Sequence, residues 1–303
     1  VRAVVRIVKE CGATPLLGDN HCGPLRVEEV YETSGFLAIA KEEGAHLAEV
    51  KGVKLVNGIP IASYFFECDK IINLPKMKTH TLMTLTGAIK NMFGAVTGLN
   101  KTQCHKKFPK PEDFVHVLVD VFTAVKPQLV LMDGIIAMDG NGPAAGNLRD
   151  AGLLIASEDS VAVDAVFSYL IGMKPLEVLT TKEAYNRKLG EADLENLEIL
   201  GEKIEKKLIK DYKLPGLKFY MNLPAPAIKF VASFVKFSPY INEGLCTRCK
   251  ICVKTCPVDA ITVSKENSFI DYHKCVKCMC CHEVCPYNSV EYKSNILARR
   301  FGL

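Results

Sequence analysis

The residues of this sequence best suited to chemistry are cysteines near its C-terminal end. Two runs share the pattern C-x2-C-x2-C-x3-C-P, one at residues 246–257 and the other at residues 275–286. This spacing is typical of chains that hold two [4Fe–4S] clusters, because three thiolates of one run bind one cluster and the fourth thiolate reaches the other. The sequence therefore predicts two iron–sulfur clusters and one-electron transfer.

The expected ligands divide between the two runs. One cluster is expected to bind Cys246, Cys249, Cys252 and Cys285, and the second to bind Cys275, Cys278, Cys281 and Cys256. Cys280 is an extra thiol in the second run, where the two-residue spacing favours Cys281 as the ligand. Disulfides and structural zinc are the alternatives, but two identical quartets that each end in proline fit neither of them.

Composition narrows the class of protein. The chain has 303 residues, of which 49% are hydrophobic and 24% charged, and this is ordinary for a soluble globular protein of two domains. No apolar run reaches the roughly 20 residues that span a bilayer. The cysteines outside the two quartets are Cys11, Cys22, Cys68, Cys104 and Cys280. Their odd number favours free thiols in a reducing, cytoplasmic compartment.

Net charge gives no support for nucleic-acid binding. The formal charge is +4, but each oxidised cluster with its four thiolates adds about −2. The protein with both clusters bound would therefore be close to neutral, so its net charge does not indicate binding to nucleic acid.

A second candidate site lies in the stretch 75–111, which contains no Asp or Glu. Its seven lysines are Lys76, Lys78, Lys90, Lys101, Lys106, Lys107 and Lys110, and they are interspersed with His80, His105, threonines and glycines. Ammonium groups, hydroxyls and glycines at a strand-to-helix transition suit a phosphate or carboxylate. A solvated basic surface is the alternative, although the interleaved Leu, Met and Phe favour a ligand site. The expected anion-binding residues are Lys76, Lys78, Thr79, Lys90 and Asn91.

Acidic residues near the ends of predicted strands are candidates for catalysis. Asp19 ends a strand at 14–19, where it either faces a ligand or serves a turn. Asp133 ends a strand at 128–134, and Asp139 precedes a glycine-rich stretch that lacks the dinucleotide pattern G-x-G-x-x-G. We expect Asp133 and Asp139 to bind a metal or move a proton, with His80 and His105 as further catalytic candidates.

Strands and helices alternate along the first two thirds of the chain. Helices are expected at 1–10, 28–43, 112–125, 160–173 and 175–190, and further strands at 46–50, 53–56, 70–75, 153–156 and 197–201. Asp159 is the expected N-cap of the fourth helix, and Asp164 is either paired inside the fold or faces a site. This rhythm predicts an α/β fold with a mostly parallel sheet and helices on both faces.

The expected domain organisation has three parts. An α/β domain covers 1–205, a proline-containing linker with an apolar helix covers 206–240, and a small α+β two-cluster ferredoxin module covers 241–303. We expect the apolar segment of the linker, at 228–237, to pack against the α/β domain, with an interfacial helix or a docking patch as alternatives.

The middle of the chain resembles a family known only as domain of unknown function 362. The matching motifs are I-N-L-P-K-M-K-T-H at 72–80, T-G-A-I-K-N-M-F-G at 86–94, M-D-G through G-P-A-A-G at 132–146, and residues 159–164. The resemblance covers about two thirds of the chain and implies the fold and a C-terminal two-cluster ferredoxin module, but no reaction. An earlier Lys-Pro-Asn-like motif usual in that family has no counterpart here, and so we expect an N-terminal truncation.

Three functions fit the sequence. In the first, an oxidoreductase or a subunit of one, the α/β domain binds an anionic substrate or cofactor and receives electrons from the clusters. In the second, the protein is an electron-transfer adaptor whose α/β domain only docks a redox partner protein. In the third, it is a maturation factor that holds a cluster or cofactor precursor.

Overall fold

The computed structural model describes residues 1–24, 26–215 and 237–294. The helices are α1 (Arg2–Glu10), α2 (Val27–Thr33), α3 (Phe36–Glu43), α4 (Ala88–Asn91), α5 (Asn100–Lys107), α6 (Pro111–Ala124), α7 (Ser160–Leu170), α8 (Leu179–Asn186), α9 (Ile251–Thr255) and α10 (Cys280–Glu283). The strands are β1 (Leu16–Leu17), β2 (His46–Leu47), β3 (Val53–Val56), β4 (Ile59–Ala62), β5 (Ile72–Asn73), β6 (Lys76–His80), β7 (Thr84–Thr86), β8 (Leu129–Asp139), β9 (Asn147–Ser157), β10 (Phe237–Ile241), β11 (Ile261–Val263), β12 (Ser268–Ile270) and β13 (Val290–Ser294).

A five-stranded sheet forms the centre of the α/β part. The long strand β8 pairs in parallel with β5 and β6, and antiparallel with β9. Strand β7 folds back antiparallel on β6. The α/β fold class is therefore confirmed, with two parallel and two antiparallel pairings in this sheet. In the described residues, no helix is both long and apolar enough to cross a bilayer.

Helices α6 and α7 contribute to two groups of buried side chains. Phe114, Leu118 and Phe122 of α6 are fully buried, and Pro111 with two acidic residues in the first turn favours the start of that helix. On α7, Phe167 packs with Met77 and other sheet residues in a second group of buried side chains. Asp159 caps α7 as expected, because its carboxylate accepts from the amides of the first turn.

The short helix α4 is held by a buried carboxylate. Asp164 of α7 accepts hydrogen bonds from the amides of Ala88 (2.5 Å) and Ile89 (3.1 Å). Burial raises the pKa of Asp164 to about 7. The side-chain amide of Asn73 donates to the Ala88 carbonyl (2.9 Å), and Gly87 leaves no room for a side chain beside Asp164. Asp164 is therefore paired inside the fold, where it positions α4.

Several predicted boundaries differ from the structure. The predicted strand at 197–201 was wrong: this segment has no strand partner, and Leu200 is 82% exposed. The predicted helix at 175–190 is a short 3-10 turn (Pro175–Glu177) followed by α8. The predicted strands at 128–134 and 153–156 extend into the antiparallel pair β8 and β9. The apolar segment at 228–237 lies almost entirely outside the described residues.

The C-terminal part, residues 237–294, is an internal duplication that we call the iron–sulfur module. Its strands form two antiparallel pairs, β10 with β13 and β11 with β12. Helices α9 and α10 occupy equivalent places in the two repeats, since 29 positions separate Cys246 from Cys275 and Cys256 from Cys285. The two cysteine runs that share one spacing thus belong to two structural repeats.

Substituting Gly87 tests the packing of Asp164 against α4. An added Cβ in Gly87→Ala would lie 2.5 Å from the Asp164 carboxyl carbon. We expect a loss of about 1–3 kcal/mol in the free energy of unfolding, because the carboxylate must move away from the amides it holds. Urea unfolding followed by circular dichroism measures it. The control is Gly52→Ala, whose Cβ would meet Ser63 at an ordinary 3.6 Å; equal losses for both variants would contradict this account.

Candidate functional site

The two cysteine loops share an unusual backbone conformation. Arg248 and Lys250 have positive φ angles of 59° and 62°, and Lys277 and Met279 have 57° and 63° at the equivalent places of the second repeat. L-residues rarely adopt this left-handed region. Such turns direct successive backbone N–H groups into one concavity, which is how many iron–sulfur sites are lined.

The cysteines line two separate cavities. The first cavity is lined by Cys246, Cys249, Cys252 and Cys285. The second cavity is lined by Cys256, Cys275, Cys278, Cys280 and Cys281. Apart from Cys280, these are the two groups that the sequence spacing predicts. Ligation itself stays a prediction for all eight residues.

Hydrogen-bond donors lie beside two of these sulfur atoms. The Ala260 amide donates to the Cys256 sulfur (3.2 Å), and the Ser289 hydroxyl lies 3.1 Å from the Cys285 sulfur. Burial alone would raise the pKa of the Cys285 thiol, but this hydroxyl and nearby backbone amides lower it below its usual value. Donors aimed at sulfur are typical of [4Fe–4S] sites. Across the described residues, no three His, Cys, Asp or Glu side chains converge on one single-ion position.

The two cavities differ in their exposure to solvent. Cys249 of the first cavity is exposed, whereas Cys278 and Cys281 of the second are buried. The second repeat packs on the α/β part, where the His282 ring nitrogen Nε2 lies 3.3 Å from the Asn141 carbonyl oxygen. The first cavity is thus the more accessible from outside, and the second lies against the α/β part.

A group of charged and titratable side chains lies at the contact between the second repeat and the α/β part. The carboxylate of Glu283, on α10, lies among Lys78, His80, Lys90, Lys101 and His105 of the α/β part. We call these six residues the Glu283 site. The shortest contact joins His80 Nε2 to Glu283 Oε1 at 3.1 Å. Of the seven lysines in the acid-free stretch, three therefore face inward, and Lys76, Lys106, Lys107 and Lys110 are exposed.

The backbone fixes the tautomer of His80. The amides of Leu82 and Met83 approach the His80 Nδ1 atom at 3.1 and 3.2 Å, so Nδ1 is an acceptor and the proton of the neutral ring sits on Nε2. Burial lowers the pKa of His80 to about 4, and the Lys90 charge adds to this effect. Nε2 and Glu283 Oε1 are close but lack the alignment of a hydrogen bond. His80 can therefore donate a hydrogen bond to an anion as a neutral imidazole.

The lysines of the site carry more positive charge than Glu283 balances. Burial lowers the pKa of Lys78 and Lys101, and that of Lys90 to about 8, while the Glu283 charge raises the pKa of each amine. Burial would raise the pKa of Glu283, but its basic neighbours His80, Lys90 and His105 lower it far below its usual value. At neutral pH three ammonium groups thus face the Glu283 carboxylate, and the exposed Asp19 acts on Lys78 as well and on Lys101 more strongly than Glu283 does.

His105 lies in an aromatic setting at the edge of the same site. Its ring stacks on Phe114 with centroids 4.1 Å apart and meets Phe93 edge-on. Burial lowers the pKa of His105 to about 4. Its Nδ1 atom is buried and has no hydrogen-bond partner among the described residues. His105 is therefore neutral at pH 7 and cannot supply a proton as an imidazolium there.

The loop that follows β1 contributes two further residues to the site. The Asn20 carbonyl oxygen accepts a hydrogen bond from the Lys101 amine, and the Asn20 side chain donates to the Gly94 carbonyl (2.9 Å). Cys22 follows, and burial raises the pKa of its thiol to about 11. Glu283, Lys90, Lys101 and Cys278 all act on that thiol electrostatically. The Cys22 thiol therefore responds to charges of both the Glu283 site and the second group of cysteines.

The other predicted site residues lie elsewhere. Asp133 pairs with Lys76 on the surface (2.9 Å). Asp139 is buried against Arg149 (3.3 Å) and the Lys213 amide. The structure thus does not bring either aspartate to His80 and His105.

Thr79 and Asn91 serve the scaffold of the site. The Thr79 hydroxyl accepts from the Gly142 amide (3.3 Å), which ties the glycine-rich turn to β6. The Asn91 side chain donates to Asn73 (2.7 Å), next to the contact that holds α4. Among the predicted anion-binding residues, only Lys78 and Lys90 belong to the Glu283 site.

The most important residue that sequence reasoning missed is Glu283. One signal could have revealed it, because the two repeats differ where the second meets the α/β part. Positions 251, 253 and 254 of the first repeat hold Ile, Val and Lys, and the equivalent positions of the second hold Cys280, His282 and Glu283. An acid in one repeat, where the other has a lysine, indicates a contact specific to that repeat.

Comparison with known proteins agrees with both parts of the chain. Residues 1–169 match the family described as "Domain of unknown function (DUF362)", and residues 239–262 match "4Fe-4S binding domain". The second match supports iron–sulfur electron transfer and a 4Fe–4S cluster, while the number of clusters stays a prediction. The chain is 34% identical over 188 residues to Thylakoid-associated protein sll1697 of Synechocystis sp.. That alignment covers 59% of this chain and 58% of the relative, so the chain spans less than two thirds of the relative's length.

Paired cysteine substitutions test the ligand assignment. We expect about eight irons and eight sulfides per chain after anaerobic reconstitution, and Cys278→Ala should lose the iron of the second cavity. Cys280→Ala, which changes a neighbouring buried thiol in the same cavity, should keep the full amount. Iron and sulfide analysis measures both. Loss of iron from Cys280→Ala with retention in Cys278→Ala would reverse the assignment.

The depressed pKa of His105 predicts a pH dependence of stability. Because this pKa is about 4 in the folded protein and 6.5 ordinarily, the unfolded chain binds more protons at pH 5. The free energy of unfolding should then fall as the pH drops from 6.5 toward 4, with His105 contributing about 2 kcal/mol between pH 7 and pH 5. His105→Phe keeps the ring stack and should remove that part of the fall.

Urea unfolding at pH 7 and pH 5 measures this difference. His116→Gln, which alters an exposed histidine on α6, serves as the control and should leave the pH dependence nearly unchanged. An undiminished fall in His105→Phe would show that this ring is charged in the folded protein.

Proposed function

Because this chain belongs to the family described as a domain of unknown function, DUF362, whose description names no reaction, we propose a function from the site itself. The protein is an iron–sulfur oxidoreductase, or a subunit of one. Its two [4Fe–4S] clusters deliver electrons to an anionic substrate or cofactor held at the Glu283 site. The observation that carries this proposal is the contact of Glu283, in the second cysteine repeat, with His80 of the α/β part, where the Glu283 charge also acts on Lys78, Lys90 and Lys101.

The charge balance of the site supports an anionic ligand. Three partly or fully buried lysines face the two carboxylates of Glu283 and the exposed Asp19, and a buried excess of positive charge is costly unless an anion balances it. His80 Nε2 and His105 Nδ1 are buried polar atoms whose hydrogen bonds are unmade among the described residues. A phosphate or carboxylate could accept from the lysines and from His80 without any change in protonation at pH 7.

The residues of the site take distinct roles in this proposal. Lys78 and Lys90 bind the anion, and Lys101, held by the Asn20 carbonyl, adds to the field. His80 donates from Nε2 to the oxygen on which negative charge grows as an electron arrives. Asp133 and Asp139, already paired with Lys76 and Arg149, take no part in it.

The arrangement of the two cavities supports electron transfer from a partner at the first cavity to the second cavity and the α/β part. The first cavity is exposed at Cys249, and the second is buried against the α/β part. A redox partner protein would dock near the first cavity and a small-molecule anion would bind beyond the second. The thiols outside the two runs are unpaired, and this suits a reducing compartment, for which we propose the cytoplasm.

Binding of small anions tests this function. We expect the cluster-loaded protein to bind inorganic phosphate or malonate in calorimetry, and Lys90→Met to weaken that binding at least about tenfold, since a lost charge-assisted hydrogen bond costs about 1.5–3 kcal/mol. The control is Lys76→Met, which removes an exposed lysine of the same acid-free stretch.

Three outcomes separate the candidate functions. Selective weakening in Lys90→Met supports the enzyme. Equal affinities in the two variants would place the anion elsewhere. A wild-type protein that binds neither anion, yet reduces a partner at full rate, would instead favour the adaptor with a docking domain.

A further inference from the structure

The two cysteine repeats of the iron–sulfur module contain the same turn after their last cysteine. In the second repeat, the Asn288 amide donates to the Cys285 carbonyl (3.3 Å), and Asn288 has a positive φ of 51°. In the first repeat, the Asp259 amide donates to the Cys256 carbonyl (3.5 Å), and Asp259 has a φ of 50°. The two turns can therefore be compared residue by residue.

The residue that follows this turn is Ala260 in the first repeat and Ser289 in the second. Both residues are buried. The Ala260 carbonyl accepts a hydrogen bond of 2.7 Å from the Asp271 amide, and the Ser289 carbonyl accepts one of 2.7 Å from the Asn242 amide. The backbone is therefore held alike at both places, and the two side chains differ by a single hydroxyl group.

The hydroxyl of Ser289 lies against a sulfur atom of the first cavity. Its Oγ atom is 3.1 Å from the Cys285 sulfur, and both residues line that cavity. A cysteine bound to iron is a thiolate without a proton, so the serine hydroxyl is the donor. Because Ser289 and Cys285 are only 4% and 8% exposed, water does not readily replace this contact. At Cys256, the equivalent residue Ala260 offers its backbone amide (3.2 Å) but has no hydroxyl.

A hydrogen bond to sulfur favours the reduction of an iron–sulfur cluster. Reduction adds one electron to the cluster and its thiolates, and a donor stabilises the more negative reduced form. Hydrogen bonds to the sulfurs and exposure to solvent are therefore among the factors that set the reduction potential. Cys249 of the first cavity is exposed, so solvent acts there in the same direction as the Ser289 hydroxyl.

We propose that the Ser289 hydroxyl donates a hydrogen bond to the Cys285 thiolate and raises the reduction potential of the cluster in the first cavity. It thereby makes the cluster at the exposed cavity, where a redox partner would dock, easier to reduce. The reduction adds one electron to the cluster and moves no proton, because the serine keeps its own. This inference rests on the proposed function for the presence of two clusters, although the hydrogen bond itself needs only the first of them.

Removing the hydroxyl from one repeat and adding it to the other gives the test. We would titrate the full-length, cluster-loaded protein against potential and follow the reduced clusters by electron paramagnetic resonance. Ser289→Ala removes the donor and should shift one midpoint potential to a lower value. Ala260→Ser places a hydroxyl at the equivalent position beside Cys256 and should shift the other midpoint to a higher value. In each variant the unaffected midpoint serves as an internal reference.

A spectroscopic measurement detects the hydrogen bond itself. After exchange into deuterated water, electron–nuclear double resonance of the reduced wild-type protein should show a deuteron coupling that is lost in Ser289→Ala. This measurement also tests the inference if Ala260→Ser does not fold. The control is Ser264→Ala, which removes an exposed hydroxyl that donates to the Asn267 carbonyl (2.9 Å) in the same module. It should change neither the midpoints nor the coupling.

The possible outcomes separate the inference from the proposed function. Wild-type midpoints in Ser289→Ala, or two midpoints that fall together, would overturn the inference and leave the proposed function intact. Iron and sulfide for only one cluster would contradict the proposed function, whereas a single midpoint lowered by Ser289→Ala would still support the hydrogen bond.

Discussion

Burying an amine costs free energy unless an opposite charge lies nearby, and this constraint organises the contact between the α/β part and the iron–sulfur module. Lys78, Lys90 and Lys101 lie on three separate segments, yet the Glu283 charge acts on each of them. Glu283 belongs to the short helix of the second cysteine run. Docking of the iron–sulfur module therefore brings the Glu283 carboxylate to the basic residues of the site. A substitution that changes the charge of the site should also change how strongly the module docks.

Hydrogen bonds within the α/β part fix the backbone and side chains around this contact. Asp164 and Asn73 hold α4, so that Lys90 projects from a fixed backbone. The turn at Gly142 is tied to β6 by Thr79, and the neighbouring Asn141 carbonyl meets His282 of the module. Thr79, which the sequence predicted to bind an anion, thus acts indirectly, because it helps to fix the positions of residues near the charged site.

The sequence predicted local features well and long-range ones poorly, for physical reasons. Ligand spacing is a local property, so the sequence divides the eight cysteines into the same two groups that line the two cavities, while their ligation stays a prediction. The acid-free stretch marked Lys78, His80 and Lys90 because its imbalance is visible along the chain. Glu283 was missed because it approaches these residues only through the tertiary fold, and the strand expected at 197–201 was wrong because an apolar segment needs a partner strand to pair with.

The central claim is that an anion bound at the Glu283 site lies beside the second cluster. Phosphorus-31 electron–nuclear double resonance of the reduced protein in phosphate measures this proximity directly. The account predicts a phosphorus coupling to the unpaired electron in the wild-type protein and its loss in Lys90→Met. A protein with both clusters that binds phosphate but shows no such coupling would contradict the claim.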